Sequence, residues 1–201
     1  IKKDLKILKK SKKVDFVYIP KFKDIYKDKK KSKIKLQKKD KILCAKFRKG
    51  HFEGVLDVMN KLTKIINPQK IFMGEKDFQQ LYLVKKQLER TYKTKVIPCK
   101  TIRDRNNVAL SSRNLLLNKS SIVIASKIYK KLVSIKKNIK NKKKISSFLN
   151  LKKKELKNNY KIKIDYLELR NINNLKISRS NKNSRLFIAY HINKVRLIDN
   201  L

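Results

Sequence analysis

A chain of 201 residues, 40% of them hydrophobic, is long enough to bury a sizeable core as one domain or one and a half. Its 57 Lys and Arg against 15 Asp and Glu give a formal charge of +42, which alone would point to nucleic acid or another polyanion. The lysines, however, run the whole length beside abundant Ile and Asn, residues with A- and T-rich codons, so biased base composition accounts for them and leaves non-specific, salt-sensitive nucleic-acid binding as a by-product.

No apolar run approaches the length of a membrane span, and the amino end "IKKDLKILKKSKK" lacks the continuous apolar stretch of a signal peptide. Cys44 and Cys99 stand far apart, so no zinc or redox motif arises, and a reducing, cytoplasmic setting is expected.

Residues 1–13 alternate apolar and basic side chains in a way that suits a short amphipathic helix, and "VDFVYIP", 14–20, reads as a buried strand closed by Pro20. Residues 21–40 are mostly charge and read as a solvated loop with one edge strand. From His51 the period becomes helical, with Phe52, Val55, Met59, Leu62 and Ile66 spaced 3, 4, 3, 4 and Asn67-Pro68 ending the run. "KIFM" is a strand, Phe78, Leu81, Val84, Leu88 and Tyr92 mark a helix, and "KVIPC" is the next strand. Such a strand, helix and strand form a parallel unit of an α/β sheet.

Beyond Asn114 the character changes. Helical stretches at 119–139 and 145–157 lead to "IDYLELRN", "RLFIAYHI" and "KVRLIDNL", three strand-like runs that suggest a small α+β unit with an antiparallel sheet. A boundary near 114–118 divides a partial nucleotide-binding α/β domain, 1–114, from a C-terminal α+β domain, 115–201.

Two segments carry chemistry. Gly74 falls at the carboxyl end of a strand and just before a helix, where open α/β sheets bind ligands. Without a Cβ it lets backbone approach a ligand, and the helix start offers unpaired N–H groups to an anion. Lys76 can reach a phosphate, Asp77 can cap the helix or accept from ribose hydroxyls, and the Gln80 amide can point into a cleft. A tight turn with an Asp cap and a solvated lysine is the alternative. In "TIRDRNNVALSSRNLLL", 101–117, Asn106-Asn107 is a plausible turn, and Ser111, Ser112, Arg113 and Asn114 sit together, their hydroxyls and guanidinium with nearby backbone amides suiting a triphosphate. A serine pair capping a helix beside an exposed arginine is the plainer alternative.

"FMGEKDFQQL" followed about thirty residues on by "TIRDRNNVALSSRN", with "GHFEGV" before and "RLIDN" at the far end, resembles the pantothenate synthetases, the pantoate–β-alanine ligases, over essentially the whole chain. The resemblance implies a Rossmann-like nucleotidyltransferase sheet, ATP and Mg²⁺ as cofactors, and pantoate and β-alanine as substrates joined through a pantoyl adenylate. It also implies a homodimer when full length. It places Gly74, Glu75, Lys76 and Asp77 on ATP, with Lys76 on the phosphates and Asp77 with Gly74 near the ribose. Gln80 falls on pantoate, Ile102 against the adenine, and Leu110, Ser111, Ser112 and Arg113 in a loop that closes over the phosphates. Lys76 and Arg113 are the residues implied to be catalytic, and no metal ligand is named. The alternatives are a basic nucleic-acid-binding protein and another nucleotidyltransferase of the same fold.

The family's first signature, a His-x-Gly-His, is absent; the histidines are His51 and His191. "RKGH" at 48–51 corresponds instead to a separate Pro-Gly-His-Phe segment of the family. The simplest expectation is that a domain-sized amino-terminal part, roughly a hundred residues, lies outside this sequence and that the chain is inactive alone. Ala45 and Lys49 replace a usual Gly and Pro, and Asn106-Asn107 and Asn193 stand at turns where Gly is usual. His51 borders the family's active site, whereas His191 reads as a packed or edge residue rather than a ligand.

Overall fold

A computed structural model describes residues 1–26, 34–139 and 144–201. Contacts group the chain into two compact units, Ile1–Lys33 and Ile34–Leu201. In the first, α1 (Lys2–Ser11) is the expected helix and ends at Lys12 in the left-handed region, φ 52°. The one-turn α2 (Phe22–Ile25) begins where the Asp24 carboxylate accepts from the Lys21 N–H at 2.7 Å.

Between them, 14–20 is not the expected buried strand. It has no regular structure, and Phe16 is 93% exposed. A β-branched and aromatic run supplies only a local preference for extended backbone; the ladder that makes a strand must come from a partner, and among the described residues none pairs with this run. Among the described residues of 21–40 the expected edge strand is not present. Residues 34–37 are irregular and Lys38–Asp40 is a 3-10 turn, while 27–33, the remainder of that loop, lie outside the described residues.

The second unit holds the α/β elements. α3 (Leu43–Phe47) leads through a tight turn to α4 (His51–Ile66), whose first turn follows Gly50 at φ 76°. α4 ends where expected, with Asn67 at φ 50° and its N–H on the Thr63 carbonyl at 2.8 Å. Its buried stripe is turned slightly from the expected one: Thr63 is buried and Ile66 is 53% exposed. β1 (Lys70–Gly74), α5 (Phe78–Thr91) and β2 (Lys95–Cys99) form the expected unit, β1 pairing parallel with β2 from Lys70↔Lys95 to Gly74↔Cys99. Leu81, Leu83, Val84 and Leu88 are the buried face of α5, each contributing about 2 kcal/mol of apolar burial.

α6 (Lys119–Asn138) starts where the Asn118 carboxamide oxygen accepts from the Ser121 N–H at 2.9 Å, and α7 (Ile145–Tyr160) ends at a left-handed Lys161. β3 (Lys163–Asn171), β4 (Ser184–Ile192) and β5 (Val195–Asn200) make the expected antiparallel sheet in the order β3-β4-β5. Side chains alternate across that sheet. Leu167, Leu169, Leu186 and Ile188 join the α6 and α7 core, whereas Tyr166, Phe187 and Ala189 join the core of α3, α4, α5 and β2. Among the described residues no helix is long and apolar enough to cross a membrane.

Candidate active site

β5 is what joins the two motif segments. At the strand-to-helix corner, the Asn200 amide donates to the Glu75 and Lys76 carbonyls at 2.9 and 3.0 Å, and the Glu75 carboxylate pairs with Arg185 at 2.8 Å. Glu75–Asp77 is a 3-10 turn feeding α5. From the other side, the Arg103 guanidinium grips both Asp199 oxygens at 2.7 and 2.8 Å while lying over the Tyr129 ring, a bidentate pair with geometric as well as electrostatic preference. Asp104 then folds the loop by accepting from the Asn106 and Val108 N–H groups at 2.9 Å, with Asn107 at φ 63°, so the Asn-Asn turn adopts the left-handed shape expected of it. Ser111 Oγ accepts from the Arg113 N–H at 3.2 Å, and Arg113 Nη1 donates to the Arg196 carbonyl at 2.8 Å.

The result is a cavity of about 210 Å³ lined by Lys76 and Asp77 together with Ser111, Arg113 and Asn114, and by Arg48, Arg196 and Asp199. A smaller recess of about 30 Å³ shares Arg48, Lys76 and Asp77 with it and adds His51, Gln80, Cys44 and Tyr166. Lys76, Asp77, Ser111, Arg113 and Gln80 are thus brought together. Gly74, Glu75, Ile102, Leu110 and Ser112 line neither space. Gly74 has φ −69° and nothing within 4 Å of a built Cβ, so neither backbone strain nor crowding demands a glycine there. Asp77 holds the N-cap position of α5 without making a capping bond; its carboxylate stands 3.9 Å from the Lys76 ammonium.

Positive charge dominates the lining. Asp199 is matched by Arg103, which leaves Asp77 as the acid facing Lys76, Arg48, Arg113 and Arg196. Burial holds the Arg48 pKa below its ordinary value, and Arg113 and Arg196 push the same way. His51 is also lowered, by burial first and by Arg48 next, so its imidazole is uncharged at neutral pH. Arg196 is itself held by Asp165, at 2.8 Å from its Nε. That carboxylate sits at an irregularity in β3, where the register passes from Ile164↔Tyr190 to Tyr166↔Ala189 and leaves Asp165 unpaired. The Asp165 carboxylate is also the partner of His191, at 3.2 Å, so His191 is a packed residue as read. Such a lining is suited to a polyanion and to charge on a departing phosphate group. Among the described residues no three His, Cys, Asp or Glu side chains group to hold a metal.

The sequence profile of the Pantoate-beta-alanine ligase family matches residues 1–201. The pantothenate synthetase of Endomicrobium trichonymphae is 36% identical, covering all of this chain and 71% of its own. That of Francisella tularensis subsp. novicida is 39% identical over 100% of this chain and 69% of its own.

The chain belongs to the pantoate–β-alanine ligase family.

Crystal structures agree. Pantothenate synthetase from Thermus thermophilus superposes with a TM-score of 0.89 at 25% identity, over 100% of this chain and 73% of that one. Pantoate–β-alanine ligase from Francisella tularensis, complexed with β-γ ATP and β-alanine, gives 0.75 at 33% identity, over 100% and 69%. The expected fold class, a parallel α/β unit followed by an α+β unit, is that of the pantoate–β-alanine ligases.

In this ligase family member, sequence reading passed over Arg48, Arg196 and Asp199 as site residues. One signal stood in the composition. Arginine supplies nine of the 57 basic residues, yet Arg48, Arg113 and Arg196 line the cavity, and Arg103, Arg170 and Arg185 make ion pairs. Where lysine is the default cation, an arginine marks a position using the planar fork.

Proposed function

We propose that this chain carries the nucleotide-binding and adenylating groups of a pantoate–β-alanine ligase. In the first step a pantoate carboxylate oxygen attacks the α-phosphorus of ATP, pyrophosphate leaves, and the carboxylate becomes a mixed anhydride. In the second, the β-alanine amine attacks the acyl carbon, AMP leaves with the bonding electrons, and the amine proton passes to solvent. The observation that carries the reading is that Lys76 and Arg113, about thirty-seven residues apart by number, wall one cationic cavity.

In this scheme Lys76 and Arg113 take the charge that builds on the departing pyrophosphate, acting where water is partly excluded. Ser111 lines the triphosphate, and Ser112, outside the cavity lining, belongs to the same loop. Asp77 and Gly74 stand at the ribose, where the open space beside the Gly74 Cα lets backbone come close. The cavity is smaller than a whole nucleotide pocket of ~300 Å³ or more, which suits the phosphates. The adenine then lies on the neighbouring Ile102 and Leu110, both more than half exposed and joined by a 2.9 Å backbone hydrogen bond. Glu75 acts through position, tying the corner to Arg185. Gln80, whose amide has no hydrogen-bond partner among the described residues, faces pantoate in the recess.

Magnesium would come on the nucleotide, since phosphates and water supply most of its ligands. Asp77 is the lining carboxylate left for it, Asp199 being held by Arg103, and one carboxylate does not make a resident metal site.

The test, made on the product of the whole gene, is pantoate-dependent exchange of labelled pyrophosphate into ATP, followed by formation of pantothenate and AMP on adding β-alanine. Exchange that needs pantoate supports the reading, and release of phosphate and ADP in place of AMP and pyrophosphate overturns it.

A further inference from the structure

We propose that Arg48 is the residue that recognises the amine substrate, by pairing with the carboxylate that β-alanine keeps throughout the reaction; this rests on the ligase reading above.

Four cations line the cavity or its recess, and three have partners. Lys76 is 3.9 Å from Asp77, Arg196 is bound to Asp165, and Arg113 donates to the Arg196 carbonyl. Among the described residues the Arg48 guanidinium has no hydrogen bond and no ion pair. It is half-buried at the end of α3, on a turn set by Gly50, and it borders both spaces. A partly desolvated guanidinium beside two others is an unfavourable arrangement for the empty protein, and an anionic ligand relieves it.

Which anion follows from the chemistry. The ATP phosphates have Lys76 and Arg113. The pantoate carboxylate must attack phosphorus, and a guanidinium bonded to it would blunt that attack and lose its partner once the mixed anhydride forms. The β-alanine carboxylate takes no part in bond making and stays charged from entry to product, so a fixed cation serves it at every stage. The recess that Arg48 shares with Gln80 sets this carboxylate beside the pantoyl group, and His51, uncharged at neutral pH, adds no repulsion to the incoming ammonium. Five donors in a fixed fork make arginine suited to this task in a way lysine is not.

The experiment measures binding of β-alanine and of β-alaninamide, which replaces the carboxylate with a neutral amide, to the purified protein with pantoate and a non-hydrolysable ATP analogue present. Ligand-detected NMR serves for unaltered protein, Arg48→Gln and Arg48→Lys. Unaltered protein should prefer β-alanine by about tenfold or more. Arg48→Gln should abolish that preference while changing β-alaninamide binding little, and Arg48→Lys, which keeps the charge without the fork, should fall between. No preference in unaltered protein, no β-alanine binding at all, or an unchanged preference in both variants overturns the proposal. So does an Arg48→Gln protein that loses the ATP analogue more than β-alanine. If the ATP analogue itself fails to bind unaltered protein, the ligase reading fails with it.

Discussion

At the scale of the residue, what separates a binding group from a catalytic one is whether it meets charge that appears only as bonds change. Lys76 is 19% exposed at its side chain, with Asp77 3.9 Å away, close enough to steady the ammonium and too far to consume it. In the product of the whole gene, Lys76→Ala is therefore expected to lower the rate of pantoate adenylation by about 10²–10³, the range for loss of one such preorganised group. The Kd for a non-hydrolysable ATP analogue should change much less, because binding draws on Arg113 and backbone as well. Stopped-flow adenylation beside equilibrium titration checks this, and equal losses in both would remove Lys76 from the transition state. Lys76, Arg113 and Gln80 could be placed together from the sequence because the family resemblance carries them, and they do line the cavity or its recess. Arg48 and Arg196 could not, since their role depends on which acids they lack or hold: Asp165 reaches Arg196 across a sheet irregularity that no local pattern encodes.

At the scale of the element, α4 sets His51 and the turn behind Arg48, and the glycine at its N-cap and the one inside it let the backbone contribution be tested. Gly50 has φ 76° and Gly54 lies inside the helix, and neither has an atom within 4 Å of a built Cβ. The same substitution should therefore act with opposite signs and without steric clash. Gly50→Ala is expected to cost about 1–2 kcal/mol, the left-handed penalty for a residue with a Cβ, and Gly54→Ala to stabilise by about 0.5–1 kcal/mol. Urea unfolding of both variants decides it, and like signs would mean that the turn does not hold its left-handed shape in solution. α4, the β1-α5-β2 unit and the three terminal strands were legible because periodicity and turn residues are local. The run at 14–20 has a strand's composition but, among the described residues, no partner strand, and a pairing requirement is invisible from one side.

At the scale of the whole molecule, +42 is a self-repulsion spread over the surface, but one lysine turns it into a specific pH dependence. Lys136 of α6 is half-buried, donates to the Ser184 carbonyl at 2.7 Å, and is lowered to about 8 from an ordinary 10.5, by burial first and by Arg185 next. Below pH 8 folded and unfolded chains both hold its proton and it adds no slope. Between about 8 and 10.5 the folded chain releases the proton while the unfolded chain keeps it, so the unfolded state binds more protons and stability rises with pH. Tyr166 and Tyr190, both raised chiefly by burial, act oppositely above pH 10, where the unfolded chain loses protons that the folded one retains. Melting temperature should therefore climb from pH 8 to a maximum near pH 10 and then fall. Lys136→Met should flatten the climb and leave the fall. Salt separates the two sources of the climb, because added chloride screens the surface lysines over a Debye length of about 8 Å at 0.15 M and less above it, while the cost of burying one ammonium persists. A climb of equal size in Lys136→Met and unaltered protein at low salt, lost from both at high salt, would assign the pH dependence to the diffuse charge instead.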